Sequence, residues 1–358
     1  MGKNIFKNVM GIEFNANFNS IGCVNFDAKD QRYFLNRNGL GSTITQNDNV
    51  KYAKKIFSQP KEGKLPFKYK VSSECIRHAM YADCQPFHNP SIVSAPQVLY
   101  RMIAHPSYIT RGFVFTQKDK NSLKKSSPVT ITDAIENHSW RTSIAFDFHS
   151  RSGAKDTTIK EEDDSRDTTI YYTENVGNNT YSLVGFMDLT EMQFMAADAS
   201  YDRMAIDCDG GEYEQIFLNS LKSNFPSFNG GFDCYYQKCA CVQDEWGERG
   251  ILFDKQSVDF LVKDILKRVM NVNIHRNSAM FTFESLTITI IMDGGEKETF
   301  EITNENIDNF VFEYYQKYLI ADVQKIRANK ELIERQKQEQ KEAKKAKKES
   351  KKQKTENE

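Results

Sequence analysis

Long apolar runs are missing from this 358-residue chain. The longest, Leu286 to Met292, is broken by threonines and falls far short of the roughly 20 residues that a membrane-spanning helix needs. No membrane partner is expected. The first residues, Met-Gly-Lys-Asn-Ile-Phe-Lys-Asn, lack the apolar block and small-residue cleavage site of a secretory leader, which predicts a cytoplasmic protein. Cysteine is sparse: seven, an odd number, point to reduced thiols and against a disulfide framework. With 18 glycines and 8 prolines the chain is not collagen-like, and 39% hydrophobic with 12% aromatic residues excludes a wholly disordered one.

Signatures of catalysis are also lacking. There is no Gly-x-x-x-x-Gly-Lys, no His-Glu-x-x-His, no Gly-x-Ser-x-Gly and no complete dinucleotide fingerprint around Gly39 and Gly41. Cys234, Cys239 and Cys241 with His275 form the one imaginable zinc set, but the spacing matches no paired-ligand signature, so they read as buried or incidental thiols. Asp-Gly-Gly at 209 to 211 and at 293 to 295 lacks the later acidic ligands of a calcium loop and reads as turns. The expectation is no catalytic residue, no metal and no cofactor.

Charge is scarce only in the sum. The net of −1 hides a C-terminal stretch, Lys325 to Glu358, with 13 Lys or Arg against 7 Asp or Glu. The totals of 48 basic and 49 acidic residues therefore leave 35 and 42 for residues 1 to 324, a net of −7 against +6. A mildly acidic body offers no broad basic surface, so a nucleic-acid site must be built from local patches. Lys51 to Lys70 is one, with seven lysines, one acid (Glu62) and interleaved Tyr52, Phe57, Phe67 and Tyr69.

Ile12, Phe14, Ala16 and Phe18 alternate with polar residues and predict a half-buried strand. The turn-rich run at 36 to 42 reads as a loop or insertion. Arg111 to Thr116 and Thr142 to His149 read as strands, Gly211 to Ser223 and Ser257 to Met270 as helices. Arg151 to Phe186 is polar, carries four acids at Glu161 to Asp164, and reads as a protruding hairpin. Leu286 to Met292 reads as the last core strand, ending at a turn. After Asn304 a helical pattern runs through Phe310, Tyr314, Leu319 and Ile326, then loses its apolar residues. The order strand, helix, strands, helices, strand fits an α+β fold: an RRM-like (ferredoxin-like) antiparallel sheet with large insertions. Length alone allows two or three domains; the pattern is read as one body, 1 to 324, followed by a Lys/Glu/Gln-rich tail, 325 to 358.

One segment suggests binding chemistry. In Ser72-Ser73-Glu74-Cys75-Ile76-Arg77-His78 the serines precede a helix-compatible run. Hydroxyls, first-turn amides and a basic pair can together cradle a phosphate. The plainer reading of the same residues is a capped helix with Arg77 facing solvent and His78 packed inside.

Lys70-Val71-Ser72-Ser73-Glu74-Cys75-Ile76-Arg77-His78 resembles the Ser-Ser-Gln-x-x-Lys/Arg-Arg/His segment of the CRISPR-associated Cascade backbone subunits, and most of all their type I-F variant form. The resemblance extends through Thr110-Arg111-Gly112-Phe113-Val114, Ser126-Ser127-Pro128, Gly153-Ala154-Lys155-Asp156-Thr157-Thr158, Tyr201-Asp202-Arg203 and Arg249-Gly250-Ile251-Leu252, over roughly Met10 to Phe300. It implies an RRM-like subunit that oligomerises along crRNA without catalysis. The guide is then presented for pairing with target DNA, beside copies of the subunit and other Cascade subunits. It further implies that Lys70, Ser72, Ser73, Arg77, His78 and Arg111, with Arg151 and Lys155 of a thumb-like hairpin, touch RNA. Lys118, Lys120, Lys124 and Lys125 could add backbone-tracking charge. The alternative is an endoribonuclease on the same fold, with Asp27, Asp30 or His149 as the suspects.

Overall fold

The computed structural model describes residues 3–21, 32–35, 41–44, 67–82, 95–116, 122–137, 145–150, 169–174, 179–199, 203–207, 211–238, 247–276, 279–321, 335 and 338, some strand residues through their backbone alone. The elements begin β1 (Asn4–Ile21), β2 (Arg32–Leu35), β3 (Gly41–Ile44), β4 (Phe67–Val71), α1 (Ser73–Met80), α2 (Pro96–Ile103) and α3 (Pro106–Arg111). Next come β5 (Phe113–Phe115), β6 (Leu123–Lys125), β7 (Val129–Ile131), β8 (Ala134–Glu136), β9 (Ala145–Ser150), β10 (Thr169–Glu174), β11 (Asn179–Asp188), α4 (Leu189–Met192) and β12 (Phe194–Ala196). The chain continues through α5 (Glu212–Asn224), β13 (Phe232–Gln237), β14 (Glu248–Leu252), α6 (Lys255–Met270), β15 (Asn273–Arg276), β16 (Ala279–Met292), β17 (Lys297–Ile302), β18 (Phe310–Tyr314) and β19 (Tyr318–Ile320). It is a mixed α+β protein whose described strand pairs are antiparallel.

Two compact units divide the chain, each from three separate stretches. The first comprises Met1–Phe87, Val129–Asp188 and Leu261–Val311. Its sheet runs β15-β16-β1-β11-β8-β4-β2-β3, with β17 on β16, β18 on β1 and β7 on β11. Strand β1 lies at the centre because its period of two is consistent over its length: Ile12, Phe14, Ala16 and Phe18 are fully buried, and their registers place them beside Ile290, Ile288, Leu286 and Phe283 of β16. Each buried aromatic or aliphatic side chain is worth about 1.5–3 kcal/mol of transfer free energy. Phe14 also explains Gly185, its partner on β11, since a Cβ there would sit 2.1 Å from the Phe14 Cζ. The other face of the same strands carries a belt of neutral polar side chains. Asn17 Nδ2 donates to Ser285 Oγ at 3.0 Å. Ser182 Oγ lies 2.6 Å from Asn17 Oδ1 and 2.8 Å from Asn137 Oδ1, and Asn137 Nδ2 donates to Thr180 Oγ1 at 3.3 Å. This belt crosses β16, β1, β11 and the residue after β8.

The second unit comprises His88–Pro128, Leu189–Phe260 and Phe312–Glu358. Its sheet runs β12-β14-β13-β19, and β5 and β6 form a separate two-stranded ribbon. Phe194 stacks on Tyr318 with centroids 4.3 Å apart and meets Tyr235 edge-on. Gly250 faces that ring; a Cβ there would lie 2.4 Å from the Phe194 Cζ.

Two expected elements differ in the structure. Arg111 ends a helix instead of opening a strand: Pro106 starts α3 and Gly112, at φ 78°, stops it, so the strand begins only at Phe113. The helix expected after Asn304 is replaced by a short 3-10 turn at Ile307–Asn309 and the strands β18 and β19. Phe310, Phe312 and Tyr314 are buried in strict alternation. The helical pattern had skipped Phe312, and a run this rich in aromatics is suited to a pleated surface. The sheets consequently continue beyond Met292.

Candidate nucleic-acid interface

Helix α1 is two turns long and its start is well specified. Ser72 holds an extended backbone (φ −64°, ψ 146°) and its Oγ accepts from the Cys75 N–H at 3.3 Å, the bond a serine N-cap supplies. Ile76 and Met80 are buried on the inner face while Glu74 and His78 are exposed. Arg268 of α6 donates to the Met80 carbonyl at 3.1 Å and its guanidinium lies 5.3 Å from the Tyr81 ring centroid, which fixes the far end of the helix.

The cradle differs from the one the sequence suggests. The Ser73 N–H donates to Asp133 Oδ1 at 2.8 Å, so a carboxylate of this chain already occupies one first-turn amide, and a negative group there favours the helix dipole. Arg77 Nη1 donates to the Val129 carbonyl at 2.9 Å. Arg77 is half-buried and His78 exposed, the reverse of the plain packing expectation. Both lie in the last turn, not at the mouth. Ser73 through its backbone N–H and Arg77 through its side chain, one helical turn apart, reach the turn between β7 and β8 and the first residue of β7. Asp133 and Val129 are more than 50 residues away along the chain, and nothing in the local sequence announces them.

The remaining expected residues are dispersed. Lys70 is placed by its backbone in β4, opposite Ile135 of β8. Arg111 belongs to the second unit. Arg151, Lys155, the acids at 161 to 164, Asp27, Asp30, Lys118 and Lys120 lie outside the described residues. His149 is placed by its backbone in β9, opposite Ile170 of β10. Lys125, expected to track an RNA backbone, instead donates to the carbonyls of Glu191 and Phe194 at 3.2 and 3.3 Å. It ties together the end of α4 and the start of β12. Cys234 lies in β13, Cys239 and Cys241 lie outside the described residues, and among the described residues no group of three or more His, Cys, Asp or Glu is placed to hold a metal. No helix among them is long and apolar enough to cross a membrane.

Charge in the second unit is concentrated in pairs. Arg203 grips Glu248 through two donors, the Nε bond measuring 3.0 Å. Burial raises the Glu248 carboxyl above its ordinary value by more than that bond lowers it. Burial acts the same way on Glu191, but the 2.7 Å bond from Lys317 and the fields of Lys125 and Arg203 outweigh it and hold this carboxyl below its ordinary value. Arg249 pairs with Glu214 at 2.6 Å and lies over the Phe232 ring, 5.0 Å from its centroid.

Residues 32–322 match the family described as "Type I-Fv CRISPR-associated protein Cas7fv-like", and the chain belongs to that family, the Cascade backbone subunits of the I-F variant type. No curated protein matches the chain. Among solved structures, it is similar to a chain of a "CRISPR RNA-guided surveillance complex" at 13% identity and a TM-score of 0.32, over 79% of this chain and 70% of that one. A second, "CRISPR RNA-guided surveillance complex, pre-nicking", is 11% identical with a TM-score of 0.30, over 78% and 75%.

Proposed function

We propose that the chain is a non-catalytic RNA-binding subunit that oligomerises along crRNA in the cytoplasm, forming the backbone of a type I CRISPR effector complex. Copies of it and other Cascade subunits would hold the guide so that base pairing, not side chains, selects the target DNA. No cofactor enters this reading. Residues of α1 supply phosphate contacts: the hydroxyls of Ser72 and Ser73 and the cationic groups of Arg77 and His78, with Lys70 before the helix. Ser72 accepts from Cys75, which leaves its own O–H proton as a donor toward an anion. Arg111, Arg151 and Lys155 belong to the same proposal as further phosphate contacts.

The observation that carries the reading is the position of α1. It follows β4 directly and is anchored to Val129 of β7 and to Asp133 between β7 and β8, so its polar residues are held against the sheet. An RRM-like reading is supported by the strand sequence β16-β1-β11-β7/β8, with α1 and α6 as the two intervening helices, the order of a ferredoxin-like sheet. The β9–β10 pair supports the thumb-like hairpin. Because Asp133 takes the Ser73 amide, phosphate contacts here depend on side chains more than on the helix mouth.

The test is assembly on a spacer transcript, measured by electrophoretic mobility over a salt series. Arg77→Ala with His78→Ala is expected to weaken assembly at least about tenfold, because each copy repeats the loss and avidity multiplies it. His78→Ala alone, which removes no bond to Val129, should show a smaller loss in the same direction. A double variant that assembles as tightly as its parent overturns the proposal.

A further inference from the structure

Strands β7 and β8 both pair with β11, but not in one register. Ile131 of β7 lies opposite Gly185, and Ile135 of β8 lies opposite Ser182. Three residues, Thr132, Asp133 and Ala134, therefore face two, Leu183 and Val184, and the surplus residue makes a β-bulge. Thr132 keeps the bulge closed. Its N–H donates to the Val184 carbonyl at 2.8 Å, as a regular antiparallel pair requires. The return donor, the Val184 N–H, goes to the Thr132 hydroxyl at 3.0 Å, and that hydroxyl donates to the Asp133 carbonyl at 3.1 Å. A side chain thus supplies the acceptor that the turned backbone withdraws.

The bulge changes what the next residue can reach. Ala134 pairs with Val71, the last residue of β4. Asp133 comes just before it, and its Oδ1 accepts from the N–H of Ser73, beyond the end of β4, at 2.8 Å. Ser73 is the first residue of α1, and its amide has no partner inside the helix. The carboxylate carries the β4–β8 contact on into the helix. One turn further along α1, Arg77 reaches Val129 at the start of β7. Four residues advance about 6 Å in a helix and about 13 Å in a strand, so short groups could not meet both anchor points, and the long Arg77 side chain spans the difference. Helix α1 is held at both of its turns by one bulged strand.

We propose that Thr132 and Asp133 are positioning residues for the α1 interface. Asp133 sets where the helix begins, Thr132 holds the bulge that aims Asp133, and both act on RNA binding through the placement of Arg77 and His78. What Asp133 supplies is an acceptor oxygen, so an amide can replace it. The inference rests on the reading of α1 as the phosphate-binding element.

The experiment joins amide hydrogen exchange of the full chain to assembly on a spacer transcript, with Asp133→Ala, Asp133→Asn, Thr132→Val and Thr132→Ser beside the parent. Asp133→Ala is expected to speed exchange of the first α1 amides about tenfold while β1 and β16 keep parental rates, and to weaken assembly about fivefold. Asp133→Asn and Thr132→Ser should stay within about twofold of the parent in both readings, since each retains the oxygen. Thr132→Val, the same shape without the acceptor, should fall between. Combined with Arg77→Ala/His78→Ala, Asp133→Ala should cause no further loss of assembly, the non-additivity expected of residues that act through one element. Four outcomes overturn the proposal: parental α1 exchange in Asp133→Ala, acceleration spread equally over β1 and β16, an Asn variant as impaired as the Ala variant, or an additive loss in the combination. Where Arg77→Ala/His78→Ala itself assembles like the parent, the reading of α1 fails, and the exchange rates alone still decide whether Asp133 and Thr132 place the helix.

Discussion

The two units are cross-linked by different chemistry. In the first, the central strands are joined across their polar face by neutral groups, from Ser285 through Asn17 and Ser182 to Asn137 and Thr180. In the second, segments distant in sequence are held by formal charges: Arg203 on Glu248, Arg249 on Glu214 and Lys317 on Glu191. Hydrogen bonds between amides and hydroxyls are indifferent to pH between acid and neutral and only weakly sensitive to salt. Partly buried ion pairs are linked to both. The neutral belt of the first unit is therefore constant over conditions, although the same unit also carries the Arg268–Asp264 and Lys267–Asp308 pairs, and the ion pairs of the second unit are links that conditions can tune.

The sharpest challenge to this contrast comes from the aromatic core of the first unit. Phe14→Ala removes a fully buried ring and is expected to cost about 3–5 kcal/mol, measured by urea unfolding, by the same amount in acid as at neutrality. A pH-dependent cost would break the comparison. Next in size is Arg203→Met, which leaves Glu248 buried beside an apolar group. The expected cost is about 2–3 kcal/mol at neutral pH, less than for a fully buried pair because Arg203 is partly exposed. Its pH dependence has a definite sign. Glu248 is already raised by burial, the variant raises it further, and a raised carboxyl destabilises above its folded pKa. The loss should shrink as the pH falls through that value. Lys317→Met should have the smallest and most diagnostic effect. In the parent, Glu191 is held below its ordinary 4.5, so it contributes stability above that value and surrenders it as acid protonates it. Without Lys317, burial dominates and the shift diminishes or reverses. Melting temperatures from about pH 3 to 7 should then show a shallower acid fall in the variant than in the parent.

Much of the first unit is legible in the sequence because β1 and β16 obey a single period over many residues, and Ser72 announces the start of α1 in its own side chain. Legibility fails where a residue acts at a distance. Asp133 and the Val129 carbonyl define what Ser73 and Arg77 can do, yet each is more than 50 residues away. Lys125 reads as surface charge until the carbonyls of Glu191 and Phe194 are brought to it. The stretch after Asn304 failed for a local reason: its aromatics satisfy two periods at once, and the pairing of β18 with β1 and of β19 with β13 decides between them.

Strand β1 precedes β16 in synthesis, yet β16 is one of its neighbours in the sheet, and its Ser285 meets Asn17 from 268 positions further along the chain. Until synthesis has passed that point, the hydrogen-bonding edge of β1 that β16 will occupy has no native partner to take it. Pairings this remote in sequence are slow to close. Newborn copies must wait with an apolar ribbon exposed, and many copies made at once would be at greatest risk of joining to each other before each has joined to itself.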